Sequence, residues 1–332
     1  SKIPVEVYDS LVETVESNLD ALHDHLELKK EVLGQEELGP EDVYMPVASS
    51  SSPEIEYDRA KEMVLEAIKP LGEEYHDKAE QGLNNGWVDV YENEGKRSGA
   101  YSSSTYRSSP YILMNYQNDV SSMYTLAHEL GHSMHSHFSS SNQPFVYYGY
   151  SIFAAEVAST VNEALLTRHL LESDVSDRLK RHALSHHLEN FRNTLYRQTM
   201  FAHFEQKTHG MVENGEALTS NLLDREYSGL KQRYHKPVNL DERIEKEWMR
   251  IPHFYYNFYV YQYATGISAA ETLVKKILDH GPKDYIEFLS KGSAEYPVDA
   301  LKDAGADMTS EEPVETAIEA YRKQIKEART KV

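Results

Sequence analysis

The chain has 332 residues, 40% of them hydrophobic, and a formal net charge of −20 from 54 Asp+Glu against 34 Lys+Arg. That apolar content excludes a globally disordered chain, and the acidic balance argues against nucleic-acid and membrane-surface partners, whose phosphates it would repel. With no cysteine there is no disulfide framework, thiolate nucleophile or Cys-type zinc site, so a metal would have to be held by the 16 His and the carboxylates.

The sequence opens at Ser1-Lys2-Ile3-Pro4 without Met and enters a helical period at once, which reads as a piece of a longer protein. Val5, Tyr8, Leu11, Val12, Val15, Leu19, Leu22 and Leu26 recur at three and four, predicting one long amphipathic helix over 5–32. Pro4 suits its first turn and Gly34 its end. Gly, Pro and Ser mark 34–53 as a loop; its serine run, 49–52, is too short to separate independent domains. A second helix is expected over 54–81, then a turn at Asn84-Asn85-Gly86. Between 87 and 116 the period changes, and 99–102 and 111–116 read as strands flanking a Ser/Thr-rich loop that ends at Pro110. From 120 onward helical spacing returns over 120–138, 150–173, 176–209, 216–230, 241–250, 255–280 and 312–329, with loops at 139–149 and 231–240. No internal repeat and no run of about 18 apolar residues is present. The expected fold class is mainly α, with a small β-sheet near residues 99–116.

The segment Tyr124-Thr125-Leu126-Ala127-His128-Glu129-Leu130-Gly131-His132 carries H-E-x-x-H in apolar surroundings. On a helix this spacing sets both imidazoles on one face, one turn apart, where they can share one ion. Glu129 is turned about 100° away, a position from which a carboxylate can take a proton from a water without binding the metal. Zinc bound by protein needs a third ligand and an open position. Glu156 stands alone among small and apolar residues in Phe153-Ala154-Ala155-Glu156-Val157-Ala158-Ser159, where an unpaired carboxylate would be costly, and is assigned as that ligand. Glu163, two turns on along nearly the same face, is either a competing ligand or a hydrogen-bond acceptor elsewhere. His135 and His137 read as neighbours of the motif rather than ligands.

His128-Glu129-Leu130-Gly131-His132-Ser133-Met134-His135, followed by Phe153-Ala154-Ala155-Glu156-Val157-Ala158-Ser159, resembles the M3 family of zinc oligopeptidases, specifically its oligoendopeptidase F branch. The likeness runs from Ile3-Pro4-Val5-Glu6-Val7-Tyr8 through Gly99-Ala100-Tyr101-Ser102 and Pro110-Tyr111-Ile112-Leu113-Met114-Asn115-Tyr116 to Tyr296-Pro297-Val298-Asp299. The resemblance implies a zincin-type helical metallopeptidase unit binding one Zn2+. It also implies relatives nearly twice as long, with an added N-terminal helical half that walls a deep channel. The chain is then expected to be a single catalytic unit over 1–332: a helical scaffold at 1–95, the small sheet at 96–119, and the zinc site with substrate-binding helices at 120–332.

The 24 Tyr against 2 Trp point to His253-Phe254-Tyr255-Tyr256-Asn257-Phe258-Tyr259-Val260-Tyr261-Gln262-Tyr263, expected on a helix. Tyr261 and Tyr263 read as packing residues, while His253, Tyr256 and Tyr259 read as neutral donors for the oxyanion that forms when a peptide is hydrolysed. The resemblance makes Tyr259 the best match for that donor. The 111–116 strand either offers an edge to which an extended peptide could add or is an ordinary hairpin strand. Thr265-Gly266 admits either close substrate approach or simple helix packing. The expected function is a zinc-dependent endopeptidase of short unstructured peptides, in the cytoplasm, with no nucleic-acid or membrane partner. The alternative is a zinc-stabilised peptide-binding fragment with little or no turnover.

Overall fold

The computed structural model describes residues 2–48 and 51–331, so Ser49 and Ser50 of the serine run lie outside the described residues. The first expected helix is two: α1, Val5–Ser17, and α2, Leu19–Leu33. The break is at Asn18, whose backbone leaves helical geometry (φ −124°, ψ 28°) while its Nδ2 donates to the Thr14 carbonyl at 2.9 Å. A short amide side chain that competes for backbone groups in this way ends helices. The apolar stripe continues across the break through Leu11, Val12, Val15, Leu19, Leu22 and Leu26, whereas Val5 faces solvent and Val7 is buried instead. Gly34 closes α2 in the left-handed region (φ 63°), its N–H reaching Glu31 and that of Gln35 reaching Lys30.

The second expected helix is also divided, into α3, Tyr57–Ala67, and α4, Glu73–Asn84. Between them Pro70 sits in a tight turn, Lys69–Leu71, followed by Gly72 at φ 91°. Proline cannot donate to the ladder and disfavours helical geometry in the residue before it.

The sheet has three short strands, β1, Val88–Asp89, β2, Tyr101–Ser103, and β3, Tyr111–Leu113, in the order β1-β3-β2. Two residues of β1 are too few to produce a readable alternation, so it escapes sequence reading. Its pairing overturns the expectation of a free edge on β3. Ile112 is flanked by Val88 in parallel on one side and Ser102 in antiparallel on the other.

The remaining helices are α5, Val120–Asn142, α6, Ile152–Glu172, α7, Asp177–Asn190, α8, Arg197–Glu213, α9, Ser220–Tyr234, α10, Tyr261–His280, α11, Lys283–Ser290, α12, Pro297–Ala304, and α13, Glu312–Lys331. A π-helical turn, Phe191–Tyr196, joins α7 to α8 without a break. The 241–250 segment is a 3₁₀ helix, and α11 and α12 occupy a stretch for which periodicity predicts nothing. Helix α6 is buried nearly all round, from Val157 to Thr167, because α5 lies on one side of it and α10 on another. One apolar cluster extends from α1 to α13.

Most of the tyrosine excess belongs to this core rather than to the aromatic segment. Tyr8, Tyr75, Tyr116 and Tyr124 are buried with hydroxyls bonded to Ala202 O, Asn162 Oδ1, Ile55 O and Thr167 Oγ1. Tyrosine here supplies apolar bulk and ties elements together at its far end. Among the described residues no helix is long and apolar enough to cross a membrane.

Candidate metal centre

Helix α5 starts on Asp119, whose Oδ1 accepts the Ser122 N–H at 2.7 Å, a standard way to satisfy a free first-turn amide. Two turns later His128 and His132 share a face. What brings Glu156 to them is a close crossing of α5 over α6 at Gly131. A Cβ there would lie 2.5 Å from the Ala158 carbonyl oxygen and 2.6 Å from the Ser159 Cα. On the far side α10 passes Glu156 at Gly266, where a Cβ would meet the Glu156 Cβ at 3.2 Å. That glycine therefore serves the packing of α10 against α6.

His128 Nε2 and His132 Nε2 are 3.1 Å apart, and Glu156 Oε2 is 3.7 and 3.9 Å from them. Three atoms so spaced are equidistant from a point about 2.1 Å from each, the bond length that zinc makes to imidazole nitrogen and carboxylate oxygen. The donor set fits one Zn2+, and these residues form a group able to hold a metal ion. Burial raises the pKa of Glu156, with His128 working against that. Glu129 is buried beside them with Oε2 lacking any hydrogen-bond partner, and burial likewise raises its pKa against the pull of His128. A backbone hydrogen bond at Ser102 serves the carboxylate, but a buried oxygen without a donor is expensive, and a cation and a water in this space would meet the need.

Glu163 lies behind His128, not among the three donor atoms. Its Oε1 is 2.5 Å from His128 Nδ1 and its Oε2 accepts from Asn190 Nδ2 at 3.1 Å. Burial works to raise the Glu163 pKa, but the His128 bond overrides it and the net shift is downward. An ionised acceptor there keeps a proton on Nδ1 and leaves the Nε2 lone pair facing Glu156. His132 is steadied by a backbone hydrogen bond at Ala155. His135 is buried with its ring stacked on Tyr150 at 3.6 Å, and His137 packs beside Phe138; neither joins the cluster. Glu163→Ala is expected to weaken zinc binding about 10- to 100-fold in a competition titration against a chelating dye, because His128 loses its orienting partner. Unchanged affinity would remove Glu163 from the site.

The aromatic segment is not the expected helix. Pro252–Tyr255 is a 3₁₀ turn, α10 begins only at Tyr261, and the residues between form an irregular loop. Tyr256 is 66% exposed, whereas Tyr259 is half-buried, stacked against the His253 ring at 5.7 Å and hydrogen-bonded through its hydroxyl to that of Tyr263 at 2.8 Å. Tyr261 packs on Tyr8 and Phe153, as its apolar reading implies. Tyr263 packs edge-on against Tyr259 at 5.4 Å, as its packing reading implies, but it does more. Burial, Tyr259 and the Glu156 charge all push its pKa up, so it lies within electrostatic reach of the cluster. Tyr150 feels the Glu156 charge too, with its hydroxyl 2.7 Å from Ser136 Oγ. Sequence reasoning missed Tyr150, Tyr263 and Asn190 as site neighbours. The four-residue spacing of Tyr259 and Tyr263 was the available signal for one of them.

Residues 1–320 match the model of Peptidase family M3. Oligopeptidase PepF of Bacillus subtilis (strain 168) is 48% identical over 331 residues, covering 98% of this chain and 49% of that protein. Group B oligopeptidase PepB of Streptococcus agalactiae is 41% identical over 329 residues, covering 98% of this chain and 55% of its own length. The chain thus spans about half the length of the curated relatives it matches. The crystal structure of oligoendopeptidase-F from Enterococcus faecium superposes with a TM-score of 0.77 at 37% identity, over 99% of this chain and 53% of that one.

Proposed function

The chain belongs to peptidase family M3, and on that premise we propose that it is the zinc-holding part of an endopeptidase that cleaves internal bonds of short, unstructured peptides. The whole of 1–332 acts as one catalytic unit in this reading, with 1–95 as scaffold, 96–119 as the small sheet and 120–332 carrying the site. The observation that carries it is the set of His128 Nε2, His132 Nε2 and Glu156 Oε2 around one point, with the unpartnered Glu129 Oε2 buried next to it.

His128, His132 and Glu156 hold the ion, and Glu163 keeps the proton on His128 Nδ1. Zinc in that position supplies Lewis acidity, which brings the pKa of a water to about 7 and polarises a peptide carbonyl. Glu129 accepts the proton of the attacking water at its free Oε2 and returns it to the leaving amine. Its raised pKa makes it a stronger base than an exposed glutamate. The linked hydroxyls of Tyr259 and Tyr263 are neutral donors for the carbonyl oxygen as it becomes negative. His253 fixes the Tyr259 ring by stacking, and Tyr256 flanks it on the solvent side, where substrate would arrive.

An internally quenched peptide tests the reading. Hydrolysis is expected with one equivalent of Zn2+, lost with a chelator and regained on adding zinc. Chelation is also expected to lower the melting temperature, because the ion ties α5 to α6. At free zinc 100–1,000 times Kd the lost stabilisation is about 3–4 kcal/mol. Peptide binding without turnover would favour the binding-fragment alternative, and identical melting curves with and without chelator would count against the site.

A further inference from the structure

Glu205 is a carboxylate that the site chemistry does not use. It stands on α8, only 3% exposed. Its Oε1 accepts the backbone N–H of Phe258 at 2.6 Å, while Oε2 is buried without a partner. Phe258 adopts φ 52°, left-handed geometry that a bulky aromatic residue rarely takes, and it directly precedes Tyr259. Nothing regular holds the backbone here, since the 3₁₀ turn ends at Tyr255 and α10 begins at Tyr261. The Phe258 ring meets Tyr8 edge-on at 5.6 Å and His209 at a tilt at 4.6 Å while staying 38% exposed, and Tyr255 and Tyr256 just upstream face solvent. On its inner side the loop is held at Phe258 through this buried acceptor, two residues before Val260 enters the core. An apolar residue at 205 would leave the part-buried Phe258 amide unpaired and remove what compensates for the unusual backbone.

We propose, building on the peptidase reading above, that Glu205 is a positioning residue for Tyr259: it clamps the loop at Phe258 so that the Tyr259 hydroxyl is presented beside Tyr263 at the zinc site. The same continuous helical rod, α7 through α8, supplies Asn190 to Glu163 behind His128 and Glu205 to the loop. Both halves of the site are thus referenced to one element.

The clamp has a charge state of its own. Burial pushes the Glu205 pKa up to about 7, with the Phe258 bond pulling the other way. The titratable groups around it are Tyr8 on α1, Tyr261 on α10 against Tyr8, Asp9 on α1, which is held by Gln206, and His209 one turn along α8. Among the described residues no cation forms an ion pair with Glu205. Because its pKa in place lies above that of a solvated carboxylate, ionisation favours release despite the stronger bond that the ion accepts, and the hold on the loop weakens as pH rises from the ordinary carboxylate range to about 7.

Amide hydrogen exchange at 256–259 in the zinc-loaded protein, with kcat and KM on the quenched peptide, tests this. In Glu205→Ala the Phe258 amide is expected to exchange about 10- to 100-fold faster and kcat to fall by about 10- to 100-fold, with KM within about threefold. Glu205→Gln keeps a carbonyl acceptor that does not titrate, so it should retain near wild-type kcat and lack the wild-type loss of protection as pH rises toward about 7. Wild-type exchange at Phe258 in a folded Glu205→Ala protein would overturn the proposal, as would an unchanged kcat despite a loosened loop. If the wild-type chain shows pH-dependent protection but no hydrolysis, the clamp stands and the peptidase reading fails.

Discussion

Glu129→Gln is expected to cut turnover of the quenched peptide by about 10³-fold or more while bound zinc stays at one equivalent and the melting temperature barely moves. The substitution keeps shape and removes only the ability to take a proton. Glu129 is buried, its Oε2 has no hydrogen-bond partner, and it is not among the three clustered donor atoms. Loss of function with the metal retained would therefore isolate proton transfer from metal binding. The sign of the stability effect follows from burial. In the metal-free chain burial raises the Glu129 pKa, so a neutral isostere there costs no stability; a cation beside it would offset that burial, which leaves the zinc-loaded forms unfolding alike. The acid limb of the kcat profile should report Glu129, since activity falls as the base is protonated, and the residual activity of the variant should lack that limb. More than a tenth of wild-type turnover in the zinc-loaded variant would take Glu129 out of its role.

What could be read in advance follows from how local each signal is. His128, Glu129 and His132 lie within one helical turn and need only the helix period. Glu156 stands out because a carboxylate is conspicuous among alanines and valines. Glu163 stayed ambiguous because what assigns it to His128 Nδ1 is Asn190, a residue on a different helix. The helix breaks fail differently. Apolar spacing runs unbroken through Asn18 because both α1 and α2 bury the same stripe, so the pattern carries no trace of the backbone turn. At the second break the sequence does carry the trace, because Pro70 and a positive-φ Gly72 outweigh the apolar periodicity that runs across them. The aromatic segment misleads most, since tyrosine and phenylalanine suit a helix, a strand or a loop. Its conformation at Phe258 is set by Glu205, 53 residues away in sequence.

Gly131→Ala carries the second large effect, and its sign separates two accounts of that glycine. If Gly131 were only a tolerated helix residue, alanine would stabilise the protein by about 0.5–1 kcal/mol through helix propensity. Gly210, in α8 with open space around it, should behave in that way and serves as the control. At Gly131 the new methyl would sit 2.5 Å from the Ala158 carbonyl oxygen, 2.6 Å from the Ser159 Cα and 2.9 Å from the Ala158 carbonyl carbon. All three are backbone atoms and cannot rotate away, so α5 and α6 must move apart. Overpacking of this kind costs about 1–3 kcal/mol. Gly266→Ala, by contrast, meets the Glu156 Cβ at 3.2 Å and its carbonyl carbon at an ordinary 3.8 Å, and should be milder. Separating α5 from α6 also withdraws Glu156, two residues before Ala158, from the imidazoles that it faces at 3.7 and 3.9 Å. Metal bonds tolerate errors of about 0.2 Å, so zinc affinity is expected to fall by about 100-fold although Gly131 touches no ion. Thermal unfolding and zinc competition read the two effects separately. A Gly131→Ala protein as stable as Gly210→Ala, with wild-type zinc affinity, would show that the close crossing of α5 and α6 does not set the geometry of the site.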